Sequence, residues 1–241
     1  MSDENNNIKL VTLVPEVYYN LIAWVSPGTF LIVVIIWIFH FDKSLEFLTR
    51  KEINWAVITG FLIFLLGAGN IVGILISPLG DWLHRKTYRY CIWKEFSKRK
   101  ENENLLSYLD KEYNLGGYPD PTKDCWEDED KKKIDLFDRL AHDLVKQLDP
   151  QAKVIIPKIQ AEAALCNNLL AASLILLVIL IPLIIIRVFV NYYCTQQFLD
   201  ACIPLFLCIV LALFSYFAGK HRGKRLISRE FSFLRLCIGI V

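Results

Sequence analysis

The sequence has little of what most enzyme and metal chemistry needs. There is one methionine, there are four histidines, and no C-x-x-C pair or zinc-like Cys/His spacing occurs in 241 residues. Metal binding is therefore not expected. The chain carries no H-E-x-x-H, no G-x-S-x-G, no phosphate-loop lysine and no G-x-G-x-x-G after a strand. Gly67 and Gly69 fall inside an apolar run, so they do not form a phosphate loop, and His84 and His142 stand in polar helical surroundings. Neither a catalytic residue nor a cofactor is expected. The seven cysteines, Cys91, Cys125, Cys166, Cys194, Cys202, Cys208 and Cys237, are odd in number, which argues against a full disulfide framework. Cys194 and Cys202 flank one short loop, and either bridge there or act as small apolar residues at a membrane interface. Residues 1–20 are polar and slightly acidic, with Lys9 the one cation, so no secretory leader is expected.

Long apolar runs are abundant. Hydrophobic residues make up 54% of the chain, and they concentrate at 21–39, 55–76, 169–190 and 203–218. Each run is close to the ~20 residues that cross a ~30 Å hydrocarbon core as a helix. Helices satisfy their own backbone hydrogen bonds in lipid. The expected fold is thus an all-α integral membrane protein. It has four transmembrane helices and a helical cytoplasmic segment between spans two and three. Aromatic residues near the ends of the runs, among them Tyr19, Trp24, Trp37, Trp55, Trp82 and Tyr216, form the expected interfacial belt. No run has a charge near its centre, which disfavours proton relays and voltage sensors. No internal repeat supports an inverted-repeat transporter.

Lys and Arg set the orientation. Arg85, Lys86, Arg89 and Lys94 follow the second run, and Lys220, Arg222, Lys224, Arg225 and Arg229 follow the fourth. Residues 191–202 contain neither Lys nor Arg. The positive-inside rule puts both termini and the middle segment on the cytoplasmic side of the membrane. The expected divisions are an N-terminal segment 1–20, a hairpin of spans 21–78, a cytoplasmic helical domain 79–166, a second hairpin 167–218 and a basic tail 219–241.

Within the middle segment, the apolar pattern predicts a helix over 82–100, continued by Leu105, Leu106 and Leu109. The Asn-Leu-Gly-Gly-Tyr-Pro-Asp-Pro run from Asn114 breaks it. Residues 124–133 read as a solvated charge run, 134–148 as an amphipathic helix, and 151–168 as a helix leading into span three. So small a segment buries little apolar surface alone. It is expected to pack against its own copies, the tail or a partner. The tail fits either an amphipathic helix or an added strand.

Three sets of residues are candidates for function. Gly69 and Gly73 form a G-x-x-x-G strip for close helix packing, either within the chain or between copies. Asn70, inside a span, needs a polar partner or a watered path. Glu162, Asn167 and Asn168 stand where span three meets the cytoplasm; they would ring a pore mouth in an oligomer, or else serve as interfacial polarity and caps. Arg85, Lys86, Arg89, Lys94, Lys98 and Arg99 interleave with Trp82, Tyr88, Tyr90 and Trp93. That mixture suits a nucleotide or short oligonucleotide, and equally a juxtamembrane helix among lipid headgroups.

Residues 15–28 (PEVYYNLIAWVSPG), 157–163 (PKIQAEA) and 227–231 (ISREF) together resemble small four-span bacterial membrane proteins of antiphage defence loci, such as the Hailong-type transmembrane effector. The resemblance implies an oligomeric channel of the bacterial inner (cytoplasmic) membrane, controlled by a nucleotide-derived signal. It carries over a role and no individual residue. The expected function is a homo-oligomeric effector that forms an ion-conducting pore gated by its cytoplasmic helices. The alternative is a non-channel scaffold that recruits a protein partner.

Overall fold

The computed structural model describes residues 19, 21–37, 55–120, 126–148, 152–190 and 195–239. Among them the chain is all-helical, with no strand. The helices are α1 (Leu21–Trp37), α2 (Trp55–His84), α3 (Tyr90–Ser97), α4 (Lys100–Tyr113), α5 (Asp128–Leu148), α6 (Ala152–Val190) and α7 (Thr195–Ile238). A π-helical turn, Arg85–Arg89, separates α2 from α3. Helical stretches within Trp55–Ser97, Ile155–Ile186 and Cys202–Ile238 are long and apolar enough to cross a membrane, and α1 is a shorter apolar helix. Of the loop expected at 191–202, residues 191–194 lie outside the described residues, as do 38–54, whereas 195–202 are the first turns of α7 rather than a loop. Cys194 is outside the described residues, and Cys202 is a free cysteine.

The chain divides into two compact units, residues 20–83 with 161–219 and residues 1–19 with 84–160 and 220–241. The first is apolar inside and out. On α2 the buried residues are Leu65, Gly69, Gly73, Ile76 and Gly80, and on α7 they are Pro204, Cys208, Ala212, Ser215 and Gly219. Both sets advance by steps of three and four residues, which makes one stripe along each helix. The core joins Leu31 of α1, Ile76 of α2, Ala172, Leu176 and Leu180 of α6, and Cys208 of α7. Away from the stripes, Leu62, Phe64, Ile71, Leu75, Phe206, Phe214 and Phe217 are each more than half exposed. A helix that is apolar on every side fits a lipid surround, since its outward face costs nothing there.

The second unit is polar outside. Its core takes Trp93 from α3, Leu105 and Leu109 from α4, Ile134 and Phe137 from α5, Ile156 from α6, and Phe231 and Leu234 from α7. The tail is therefore helical, and it supplies the apolar cover that the middle segment lacks.

α2 runs through Pro78 to its end at His84. One expectation about the polar unit needs correction. The helix expected over 82–100 with an extension is in fact three pieces. The π-turn adds a residue and rotates the face that follows by about 100°, and the extended backbone of Arg99 (φ −84°, ψ 124°) starts α4 afresh. Asn102 bridges that break by donating from Nδ2 to the Phe96 carbonyl at 2.6 Å. Asp128 and Glu129 are solvent-exposed, as expected of the charge run, and with Asp130 they form the first turn of α5, where acidic side chains complement the helix dipole. The break after α4 is as expected: Asn114, Gly116 and Gly117 all have positive φ, and Asp110 Oδ1 accepts from the Gly117 N–H at 2.8 Å.

Candidate functional site

Small residues set the geometry of the apolar unit. A Cβ on Gly73 would lie 2.5 Å from the Trp24 carbonyl carbon and 2.9 Å from its Cα; one on Gly28 would lie 2.6 Å from the Gly73 nitrogen. The G-x-x-x-G strip of α2 is thus occupied by α1 of the same chain, and the backbones cross at a distance only glycine permits. Gly60 and Gly67 face open space instead. Gly28 completes the crossing from the other helix. Its signal in the sequence is a glycine within the first apolar run, although nothing there names its partner. Farther along α2, a Cβ on Gly80 would meet the Asn167 backbone at 3.1 Å.

The polar residues of this unit turn inward. Asn168 is buried and donates from Nδ2 to the Ala23 carbonyl at 3.0 Å, tying α6 to α1. Asn167 is buried as well, and Glu162 is partly buried. Thr29 Oγ1 donates to the Leu65 carbonyl at 3.5 Å. Asn70 Oδ1, Asn168 Oδ1, Ser173 Oγ and Ser215 Oγ are buried with no hydrogen-bond partner among the described residues. Ser173 and Ser215 belong with Asn70 as hydrophilic positions within the apolar runs.

In the polar unit the six cations of the basic stretch do not converge. Arg85 and Lys86 are exposed on the π-turn. Arg89, 13% exposed, is committed to α5: it pairs with Asp135 at 3.0 Å and Asp138 at 2.7 Å. Burial pushes the Asp138 carboxyl above the usual carboxylate range, and Arg89 opposes that rise. Lys94 is partly buried. Lys98 edges a cleft of about 480 Å³ whose other charged groups are Glu103, Asp110 and Asp120. One ammonium among three carboxylates gives a field of the wrong sign for a phosphate ligand. Arg99 faces a different groove, beside Glu95, Lys224 and Ser228.

The rings follow the same pattern. Tyr88 and Trp93 are fully buried, and Trp93 stacks edge-on to Phe231 at 5.4 Å. They pack the core and are closed to a nucleobase. Tyr118 lies against Phe137 at 5.1 Å, and burial pushes its phenol up to about 12. Tyr90 sits beneath Lys131, 5.9 Å from the ring centre.

The tail brings a polar hub of its own. Glu230 of α7, buried, meets His142 Nδ1 of α5 at 2.8 Å, and Gln160 of α6 reaches the same imidazole at 3.3 Å. Arg235 of α7 binds the Asn102 side chain of α4. These contacts fix α5 and α4 to α7, and α6 to α5. The sequence hints at this only through the apolar spacing of Ile227, Phe231 and Leu234, which brings Glu230 to the same face.

No family model matches the chain, and neither a curated protein nor a solved structure matches it.

Proposed function

We propose that this chain is a multi-pass protein of the bacterial cytoplasmic membrane. It crosses four times, through α1, α2, α6 and α7, with both termini and the polar unit in the cytoplasm. Copies assemble into an ion-conducting pore that the polar unit holds shut until a nucleotide-type anion or a protein partner acts on it. The setting is antiphage defence, which rests on the resemblance of residues 15–28, 157–163 and 227–231 alone.

The observation that carries the pore reading is the set of buried, unpartnered polar atoms at Asn70, Asn168, Ser173 and Ser215 within an otherwise apolar unit. In hydrocarbon each such group costs free energy. Water in a shared path, or a neighbouring copy, removes that cost. Control by the polar unit is supported by the way it is built. The middle segment and the tail share one core, so a ligand that displaces the tail acts on a helix that also supplies a membrane span. Arg85 and Lys86, exposed on the π-turn, are the cations an anionic signal would meet.

The test is ion flux from vesicles holding the purified protein. Flux that rises when Phe231→Ala loosens the polar unit and falls when Asn70→Leu is added supports the pore; vesicles that stay tight for both the wild type and Phe231→Ala contradict it. Replacing Arg85 and Lys86 with Gln should alter gating and leave insertion intact.

A second reading, a scaffold without a channel, is favoured by apolar side chains exposed on the polar unit, Tyr108, Tyr113, Leu136 and Leu236. It requires a specific protein to be retained by residues 80–165 and lost when those side chains become polar.

A further inference from the structure

The cations that follow the fourth apolar run meet one member of the basic stretch at a single place. Lys224 of α7 donates to Glu95 Oε2 of α3 at 2.8 Å, and both side chains are about half exposed. Arg99 lines the same groove, with Ser228 at its end and Ile92 and Phe96 as its floor. Lys220 lies one helical turn before Lys224, on the same face of α7. Gly223 of α7 packs closely on Ile92: a Cβ there would meet Ile92 Cδ1 at 3.0 Å. The Glu95 carboxyl is held below the usual carboxylate range by its hydrogen bond from Lys224, with Lys220 and Arg99 adding to the effect. Three cations therefore surround one carboxylate, and the groove keeps a net positive charge.

We propose that this groove binds the phosphodiester headgroup of an anionic membrane lipid, held by Lys220, Lys224 and Arg99, with Glu95 as the built-in competitor for Lys224. The choice of a lipid over a free phosphate rests on the membrane reading above. Lys220 and Lys224 lie two and six residues beyond Ala218, the last residue of the fourth apolar run. That is about 3 Å and 9 Å along a helix, within the depth of a headgroup layer. The surface potential of an anionic leaflet acts over this range.

The experiment uses the full-length protein in neutral detergent. It is titrated with short-chain phosphatidylglycerol, short-chain phosphatidylcholine and inorganic phosphate in separate arms, and binding is read by native mass spectrometry. Phosphatidylglycerol should bind in preference to phosphatidylcholine. Arg99→Gln should weaken it about five-fold, and Lys220→Gln with Lys224→Gln about twenty-five-fold, near five-fold per cation. Glu95→Gln should tighten it several-fold, an opposite effect that loss of folding cannot imitate. Equal binding of the two lipids, unchanged binding in the lysine variants, or weaker binding in Glu95→Gln overturns the site. Inorganic phosphate that competes as well as the lipid overturns the choice of a lipid. Alkaline extraction of membranes separates this from the membrane reading. A wild-type protein that extracts sinks the membrane reading itself, whereas an inserted protein with no lipid preference sinks the groove alone.

Discussion

Replacing Gly73 with alanine perturbs the crossing of α1 and α2 directly. The added Cβ would lie 2.5 Å from the Trp24 carbonyl carbon and 2.9 Å from its Cα. Ordinary carbon contacts are ~3.5–4.0 Å, so the helices must part by roughly 1 Å. A gap of ~1 Å already forfeits up to about half of each dispersion contact along the seam. Backbone atoms cannot change rotamer to make room. Forcing extra methyl groups into a packed seam costs about 1–3 kcal/mol. At about 2–4 °C per kcal/mol for a chain of this size, the melting temperature in detergent should fall by roughly 2–12 °C. Gly67→Ala on the same helix is the control. Its Cβ meets nothing within 4 Å, and alanine is about 1 kcal/mol better than glycine inside a helix, so it should melt at or above the wild type. If Gly73→Ala melts like the wild type, or Gly67→Ala loses as much as Gly73→Ala, the crossing described here is wrong. A Gly73→Ala protein that keeps its melting point but changes its oligomer size would return the strip to contacts between copies.

Other outcomes follow from the polar unit. Phe231→Ala removes a fully buried ring from between Trp93 and Phe96 and should cost about 3–5 kcal/mol, read as protease sensitivity of residues 84–160. Arg89→Met leaves Asp135 and Asp138 side by side without their cation. Because the three side chains keep partial solvent contact, the loss should be about 1–3 kcal/mol, seen as a lower melting temperature that partly recovers when Asp138 is also replaced by Asn. Burial, with Arg89 and Arg85 adding, holds the His84 imidazole down at about 4, well below the ordinary histidine value of 6.5. The unfolded chain then takes up a proton near pH 6.5 and the folded one near 4, so stability is full above 6.5 and falls as the pH drops from 6.5 to 4. The ceiling of that loss is about 3 kcal/mol. His84→Leu should flatten the melting temperature over this window, and an unchanged pH profile would assign the acid sensitivity elsewhere.

The apolar runs were legible because lipid asks only for length and hydropathy, and α2, α6 and α7 meet both. Gly69 and Gly73 announced a close contact, but a glycine strip does not encode its partner, and Gly28 on α1 became the answer only in three dimensions. The break after Asn114 was readable because glycine and proline act locally. The π-turn at 85–89 was not, since no local residue type requires it and only the packing of Tyr88, Ile92 and Trp93 explains it. The basic stretch misleads for a related reason. Its composition looks like one surface, yet helical rotation sends Arg89 to α5, Lys98 to an acidic cleft and Arg99 to a groove shared with α7. Periodicity alone could not tell that the tail was the missing wall of the middle segment, because an amphipathic face does not say what it covers.

The most direct test of the central claim is membrane potential in bacterial cells, read with a potential-sensitive dye after induced expression. The account predicts that the wild type collapses the potential once the activating signal of infection is present, and that Asn70→Leu, equally expressed and inserted, does so to a much smaller extent. A normal potential in every induced and infected condition would contradict it and leave the helices as an anchor for the polar unit.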